Sequence, residues 1–542
     1  MDATDVSKKQ RRLDAEQSAE NVQPESRERA QELAAGNPRL LEWLDRVLKD
    51  EEVDSTKVFD ALQQQAAEFR EQTLLQQLLD QQSPECRRLL ALLSVCRLPV
   101  DRDAVTAITG FDELEPHLTK AARLGLLEAG TIRAADPPHY HVSAILGPLL
   151  EAEIDAAARQ AASHRAARHL FAQWWESTDQ PEWDRALEVH RLGLECAECG
   201  VAVPIATALS NRLLGRVRFA EARDLAKTTL AVCEDYRVLH SLARAEEVLG
   251  ETGEALAHFE RARELCPTIG DNTPESVIKE YSAILHNLAG LLRTLGDVPR
   301  ALELWQQSLD IEEQIGDVQG KAATLHNMAG VIAQQGDVPR ALELWQQSLA
   351  LQEQIGNVQG KAATLANMAW AAGQTGDKAR KIELNREAAR ILGGVRAWPD
   401  LVTVLRNLGS EESPESVQYL AQAVWLLYRV HVPVSSAVPL AAAFVRRVGL
   451  EQTAALPVAG LAAFLAATRG SDHPKQEEFQ KLAASMLGAC AEAAGVVEAD
   501  LTKWTESSKV VDIDEQRSRF DAVVDELVPA DAWLFERGLV EK

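Results

Sequence analysis

Gly296-Asp-Val-Pro-Arg-Ala-Leu-Glu-Leu-Trp-Gln-Gln-Ser-Leu309 is a stretch of this sequence that returns without a change, as Gly336 to Leu349. The residues before it return too, because Leu285-His-Asn-Leu-Ala289 is echoed 40 residues later by Leu325-His-Asn-Met-Ala329. Leu365-Ala-Asn-Met-Ala369 opens a third copy. A fixed period of this length indicates stacked helical units, none of which can bury its apolar face alone.

Each copy reads as two helices joined by a turn. We predict a first helix from Leu285 to Leu295, which stops at Gly296-Asp297, and a second from Pro299 to about Ile315. In the second helix, small and large residues fall on one face at helical spacing. The predicted packing residues of the repeats are Ala301, Trp305, Ala341 and Trp345.

These repeats resemble the tetratricopeptide repeat, in the 40-residue form found in many bacterial signalling proteins. The resemblance rests on Leu285, Leu288, Ala289, Leu292, Gly296, Ala301, Trp305 and Ser308. The third copy departs from the pattern at Lys381, Asn385 and Ala388, so it looks like a degraded or capping unit. The resemblance implies an α-α superhelix whose first helices line a concave groove, where extended peptides commonly bind in the family.

Length and composition predict several helical domains. The chain has 542 residues, few aromatic residues, and a formal net charge of −25 at pH 7. Because an acidic surface repels phosphates, we do not expect nucleic acid as a partner. The most apolar run, Leu456 to Thr468, is too short to span a bilayer. With no secretory signal in view, we expect a cytoplasmic location, no membrane partner and reduced cysteines.

The residues before the repeats resemble part of the STAND class, the signal-transduction ATPases with numerous domains. Gly36-Asn37-Pro38 looks like the element that opens the helical domain of that family. From Pro84 to about Glu153, three helices and a hairpin, Leu126 to Gly130 with His139 to Ser143, look like its winged helix. The resemblance implies the helical, winged-helix and repeat portions of such a protein, without its P-loop ATPase module.

The predicted fold class is all-α, and the predicted domains follow the chain in order. They are a disordered or loosely helical arm at 1–30, a helical domain at 31–83, a winged-helix-like domain at 84–153, a repeat superhelix at 158–393 that is clearest over 281–390, and a C-terminal helical domain at 394–542.

We expect no catalytic residue, no metal site and no cofactor. The phosphate-binding loop of the STAND class reads Gly-x-x-x-x-Gly-Lys-Ser/Thr. The nearest stretch, Gly356 to Lys361, is one residue short and lacks the hydroxyl for Mg²⁺. Cys196-Ala-Glu-Cys199 has the spacing of a zinc pair, but two further ligands would be needed, so we expect structural cysteines.

The groove is the candidate binding site. Its predicted residues lie on the first helices: His286, Asn287, Arg293, His326, Asn327, Gln334 and Asn367. Asn at this position resembles the residue that holds a peptide backbone in family members, since an amide both donates and accepts. The same Asn residues could instead cap or bridge neighbouring helices, and both interpretations stay open. A carboxylate clamp is not expected, because Gly290 and Gly330 stand where it would need Asn.

Three functions are compatible with this organisation. The first is a non-enzymatic interaction scaffold or adaptor in bacterial signalling that binds a protein or peptide in the groove. The second is the regulatory arm of a split STAND-type nucleotide switch, whose partner is a separate ATPase or effector chain. The third is a winged-helix transcriptional regulator, which the acidic residues of the helix Phe111 to Arg123 disfavour. The sequence does not fix the oligomeric state.

Overall fold

The computed structural model describes residues 24–131, 138–270, 272–410 and 416–429. The chain divides into two compact bodies, Met1–Cys266 and Pro267–Lys542. The all-α prediction is confirmed, because helices make up nearly all regular structure in these residues. Residues 1–23 of the predicted arm and the helices predicted beyond residue 429 lie outside the described ranges. The predicted domain boundaries remain predictions.

The N-terminal body begins with a series of short helices. Their bounds are Pro24–Ala34, Pro38–Lys49, Ser55–Gln63, Arg70–Asp80, Pro84–Leu93, Arg102–Thr109 and Glu115–Leu124. Asn37 caps the second of them, since its side chain accepts hydrogen bonds from the backbone N–H groups of Arg39 and Leu40. The single helix predicted from Thr56 to Leu79 is wrong. A 3₁₀ turn at Ala67–Phe69 divides it, and each half buries its own apolar residues.

A two-stranded antiparallel hairpin follows the seventh helix. Leu127–Gly130 pairs with His139–Val142, and Val100 forms an isolated bridge to Tyr140. Three helices followed by a hairpin is the order that the sequence predicted for this segment. The helix predicted from Ala144 onward is instead split into short turns at Ala144–Leu146, Gly147–Leu150 and Glu151–Glu153.

Further helices complete the N-terminal body. They span Ala156–Leu170, a π-helical turn at Phe171–Glu176, Trp183–Glu195, Cys199–Gly215, Phe219–Leu230, Tyr236–Leu249 and Thr252–Leu265. Cys199 forms a disulfide with Cys233, so the expectation of reduced cysteines is wrong for this pair. The fold of the helical hairpin brings their Cα atoms to 5.5 Å, although they are 34 residues apart in sequence.

The C-terminal body contains three repeats of two helices each. Repeat 1 consists of Glu275–Leu295 and Val298–Ile315, repeat 2 of Val318–Gln334 and Val338–Gln354, and repeat 3 of Val358–Gln374 and Lys378–Gly394. The helices Trp398–Gly409 and Ser416–Arg429 follow. Repeat 1 therefore begins ten residues earlier than the predicted Leu285. Within it, Gly296 takes the left-handed conformation (φ 90°) that ends the first helix, and Asp297 caps the second.

The core of repeats 1 and 2 is built around a tryptophan and an alanine of the second helix. Ala301, Trp305 and Ala341 are completely buried, and Trp345 is 1% exposed. The Trp305 indole N–H donates to the backbone carbonyl of His286 at 3.1 Å, and the Trp345 indole does the same to His326 at 3.2 Å. Each tryptophan therefore both fills the space between the two helices of its repeat and fixes their relative position.

Replacing Trp305 with alanine tests this packing. Trp305→Ala should lower the free energy of unfolding by about 3–5 kcal/mol, because it leaves a cavity and removes the hydrogen bond of the indole. Urea unfolding followed by circular dichroism would measure the loss. The control is Gln307→Ala on the exposed face of the same helix, which should change stability little. Equal stability of the two variants would contradict the packing described here.

Candidate peptide-binding groove

A cavity of about 330 Å³ opens along the first helices of repeats 1, 2 and 3. It is lined by Arg293, His326, Asn327, Gly330, Val331, Gln334, Trp345, Asn367 and Trp370. Five of the residues that the sequence proposed for a groove therefore meet in one place. The other two, His286 and Asn287, line a second cavity of about 300 Å³ in the same body. We call the first the groove cavity and the second the acidic cavity.

The groove cavity combines hydrogen-bonding groups with an exposed aromatic ring and one cation. Arg293 and Gln334 are exposed, while His326, Asn327 and Asn367 are partly buried. Trp370 is 44% exposed, which is unusual for so large an apolar side chain in this chain. Because no carboxylate lines this cavity, the charge of the Arg293 guanidinium is not offset within it.

Consecutive repeats are joined by a chain of hydrogen bonds that starts at a buried carboxylate. Thr324 Oγ1 donates to Glu312 Oε1 at 3.0 Å, so its lone pairs face His286 Nδ1 at 2.8 Å. His286 therefore donates through Nδ1, and its unprotonated Nε2 accepts from the Asn327 amide at 3.1 Å. The chain fixes the tautomer of the imidazole and links repeat 1 to repeat 2.

The same contacts recur one repeat further on. His326 Nδ1 lies 2.9 Å from Thr364 Oγ1, and the Asn367 amide lies 3.1 Å from His326 Nε2. Burial lowers the pKa of His326, which favours the neutral imidazole that these contacts require. These hydrogen bonds therefore recur with the same period as the sequence.

The asparagine side chains bridge repeats and also face the cavity. One N–H of Asn327 and one of Asn367 are used by the histidine of the preceding repeat. An amide carries a second N–H and an oxygen. Both residues line the groove cavity. The two interpretations that the sequence left open are thus compatible with each other.

One column of residues, to which the sequence pattern did not point, sets how open the groove is. Gly290, Gly330 and Trp370 occupy the same position in repeats 1, 2 and 3. A Cβ atom added at either glycine would meet nothing within 4 Å, so packing does not require glycine there. Glycine inside a helix costs roughly 0.5–1 kcal/mol relative to alanine. The two glycines leave the groove open, and Trp370 fills the same column in repeat 3.

The glycine-rich links between repeats serve the helix junctions. Gly316 ends the second helix of repeat 1 with φ 70°, and Asp317 caps the next helix by accepting from the Gly320 N–H. A Cβ at Gly320 would lie 2.9 Å from Glu312 Oε1. A larger residue at position 320 would therefore displace the buried carboxylate of Glu312.

The third helix of the predicted winged helix keeps its basic side chains in internal ion pairs. Lys120 Nζ lies 2.8 Å from Glu52 Oε2, and Arg123 Nε lies 2.6 Å from the buried Asp50 Oδ2. Arg102 pairs with Glu115 at the start of the same helix. These cations are therefore already neutralised by carboxylates of the chain.

The described residues form an all-α superhelical repeat protein, and comparisons with known proteins agree. Models of the tetratricopeptide repeat match residues 282–315 and residues 320–393. Those segments are tetratricopeptide repeats. A search of curated protein sequences found no match. Within the described ranges, no helix combines the length and apolarity that a bilayer crossing requires.

Several solved structures are similar to this chain. One is a Signal Transduction ATPase with Numerous Domains (STAND) protein with a tetratricopeptide repeat sensor from Pyrococcus horikoshii. It has 14% identity and a TM-score of 0.53, with 94% of this chain and 72% of that chain covered. At this identity the likeness concerns the fold, which resembles that of a STAND protein.

Two further structures match less than half of this chain. A putative kinesin light chain from Podosopora anserina with nearly identical TPR-like repeats has 22% identity and a TM-score of 0.29, covering 35% of this chain and 94% of that chain. BtubC (BKLC) from P. vanneervenii has 17% identity and a TM-score of 0.32, covering 45% and 93%.

The buried carboxylate generates a prediction about stability and pH. Burial raises the pKa of Glu312, while hydrogen bonds from Ser308, Thr324 and Ser282 act against the rise. An acid whose pKa is higher in the folded state loses its contribution as pH rises from the unfolded pKa through the folded one. Glu312→Gln should therefore gain stability relative to wild type as the pH rises above 4.5, the ordinary pKa of this group, by on the order of 1 kcal/mol.

Repeat 2 supplies the matched control, because Gln352 is the natural counterpart of Glu312. Gln352→Glu should have the opposite effect and lose stability over the same pH range. Urea unfolding at several pH values would measure both variants. Curves that run parallel to wild type for both variants would contradict the raised pKa of Glu312.

Proposed function

We propose that this chain is a non-enzymatic adaptor that binds a segment of a protein or peptide in the groove of its tetratricopeptide repeats. The observation that carries the proposal is the groove cavity itself. It joins amides that recur with the repeat, an exposed tryptophan and an unneutralised arginine on one surface. Binding there would bury an extended segment and would need no covalent step.

Each group of the groove cavity has a role in this proposal. The free amide groups of Asn327 and Asn367 hydrogen-bond the backbone of the bound segment, which an extended chain presents at regular intervals. Trp370 packs against an apolar side chain, and burying such a ring contributes strongly to affinity. Arg293 pairs with a carboxylate of the segment. The open positions at Gly290 and Gly330 give the segment its path.

We further propose that the adaptor acts in bacterial signalling in the cytoplasm, and that one candidate partner is a separate ATPase or effector chain. The fold likeness to a STAND protein with a tetratricopeptide repeat sensor supports the choice of an ATPase as a candidate partner. The ion pairs of Lys120 and Arg123 with carboxylates of the chain count against DNA readout by the predicted winged helix, since a phosphate would have to displace those carboxylates.

Closing the groove tests the proposal. A tryptophan is placed at position 330, where repeat 3 naturally has Trp370. A peptide selected on the full chain from a displayed random library would be titrated against variants by fluorescence anisotropy. Gly330→Trp should weaken its binding at least about tenfold, because the indole occupies the path of the segment. The variant should remain folded, because Trp370 stands at the same position in repeat 3.

Gly330→Ala is the matched control. It adds one methyl group in open space, so it should keep the affinity and raise stability by roughly 0.5–1 kcal/mol. Proteins retained from a source-cell lysate by wild type and Gly330→Ala, but lost by Gly330→Trp, would then be partners of the groove. Unchanged peptide binding by Gly330→Trp would place recognition elsewhere on the chain and refute the proposal.

A further inference from the structure

Repeats 1 and 2 are nearly identical in sequence, yet they differ in charge at one junction. Between Gly296 and Gly320 the chain differs from Gly336 to Gly360 at four positions. Two of these exchange an acid for its amide of the same shape: Glu312 corresponds to Gln352, and Asp317 to Asn357. The junction that follows repeat 1 is therefore acidic, and the junction that follows repeat 2 is neutral at both positions.

Both of these acids line the acidic cavity. Its walls are formed by Lys279, Ser282, Ala283, His286, Asn287, Glu312, Asp317, Gln319, Gly320 and Ala323. Asp317 is already neutralised there, because its Oδ2 lies 3.3 Å from Lys279 Nζ and its Oδ1 accepts from the Gly320 N–H. Lys279 is thus paired with one carboxylate of the cavity.

Glu312 is the carboxylate that lacks a cation. Its side chain is 3% exposed. Its Oε1 accepts hydrogen bonds from Ser282, Ser308 and Thr324, at 3.1, 2.9 and 3.0 Å. Its Oε2 is buried and has no hydrogen-bond partner among the described residues. A buried carboxylate oxygen without a donor costs free energy, which a bound donor with a positive charge would recover.

Another buried carboxylate of the chain is neutralised from within. Glu246 is completely buried, and it pairs with Lys227 Nζ at 3.1 Å and with His258 Nδ1 at 2.6 Å. Glu312 has hydroxyl groups where Glu246 has a lysine and a histidine. The comparison identifies the missing component at Glu312 as a positively charged donor.

We propose that the acidic cavity takes the side chain of a lysine carried by the peptide partner of the groove. The ammonium group lies beside the Glu312 carboxylate, and the methylene stem runs along the methyl groups of Ala283 and Ala323. This inference rests on the proposed function for the source of the lysine. Asn287 belongs both to this cavity and to the predicted groove, so a segment bound along the first helices would pass its mouth.

Two further observations favour an organic cation. In the part of the chain that the structure describes, no group of three or more His, Cys, Asp and Glu side chains is arranged to hold a metal ion. The formal net charge of −25 also attracts a cationic partner over long range. A lysine side chain supplies the donor that Glu312 lacks, and its methylene stem fits the apolar walls beside Glu312.

The test uses n-butylammonium as a mimic of the lysine side chain and the full chain labelled with ¹³C at its alanine methyl groups. At pH 8, n-butylammonium should shift the methyl signal of Ala283, which lines the acidic cavity. Ala363, which corresponds to Ala323 at the neutral junction that follows repeat 2, is the internal control and should not move. n-Butanol has the same stem without the charge and should leave both signals unchanged.

Glu312→Gln should weaken the binding of n-butylammonium at least about tenfold, since a charge-assisted hydrogen bond is lost. The variant should fold, because Gln352 occupies the same position in repeat 2. Gly330→Trp, which closes only the groove cavity, should leave the shift of Ala283 intact. The test of the ammonium site and the test of the peptide groove therefore have independent outcomes.

Three results would overturn the inference. One is an Ala283 signal that does not respond to n-butylammonium. Another is a response that Glu312→Gln keeps in full. The third is a response to glycinamide, a mimic of a peptide amino terminus, without one to n-butylammonium, which would assign the cavity to a different ammonium group.

Discussion

The hydrogen bond from a tryptophan indole to a histidine carbonyl is the contact on which the structure of repeats 1 and 2 depends. Trp305 reaches His286, and Trp345 reaches His326, so the two helices of each of these repeats are held at one fixed offset. That offset presents the histidine side chain to the next repeat. There its two ring nitrogens are used in turn by a threonine and an asparagine. Packing within a repeat and contact between repeats are therefore coupled through one residue.

This coupling explains why the polar groups of the groove already make some of their hydrogen bonds within the protein. An asparagine that is held by one N–H has a fixed orientation, so its remaining groups face the cavity without losing side-chain entropy on binding. Asn327 and Asn367 are in this situation. The structural contact of each asparagine is thus compatible with the binding role that we propose for it.

Charge is distributed unevenly over repeats that are otherwise alike. The groove cavity holds the exposed Arg293 with no carboxylate in its walls, whereas the acidic cavity holds Glu312 without a cation of its own. If both proposals hold, two sites of opposite preference would select a partner segment by its order of charges as well as by its shape. After a duplication, single changes from acid to amide are enough to create such a difference without altering the fold.

The sequence by itself determined the repeat, because a 40-residue period, helix stops such as Gly296 and the Ala301–Trp305 spacing are local patterns. It also placed Arg293, Asn327 and Gln334 on a common face, since helical periodicity fixes direction. It did not predict the break after Gln63, where no glycine or proline marks the end of the helix.

Only the tertiary structure decided which distant groups meet. It joined Cys199 to Cys233, gave Glu312 three hydroxyl donors and no cation, and neutralised Lys120 and Arg123 with Glu52 and Asp50. It also showed that Gly290 and Gly330 face open space, where the sequence had noted only a missing asparagine. Such features depend on the approach of separate helices, and a one-dimensional pattern does not contain that information.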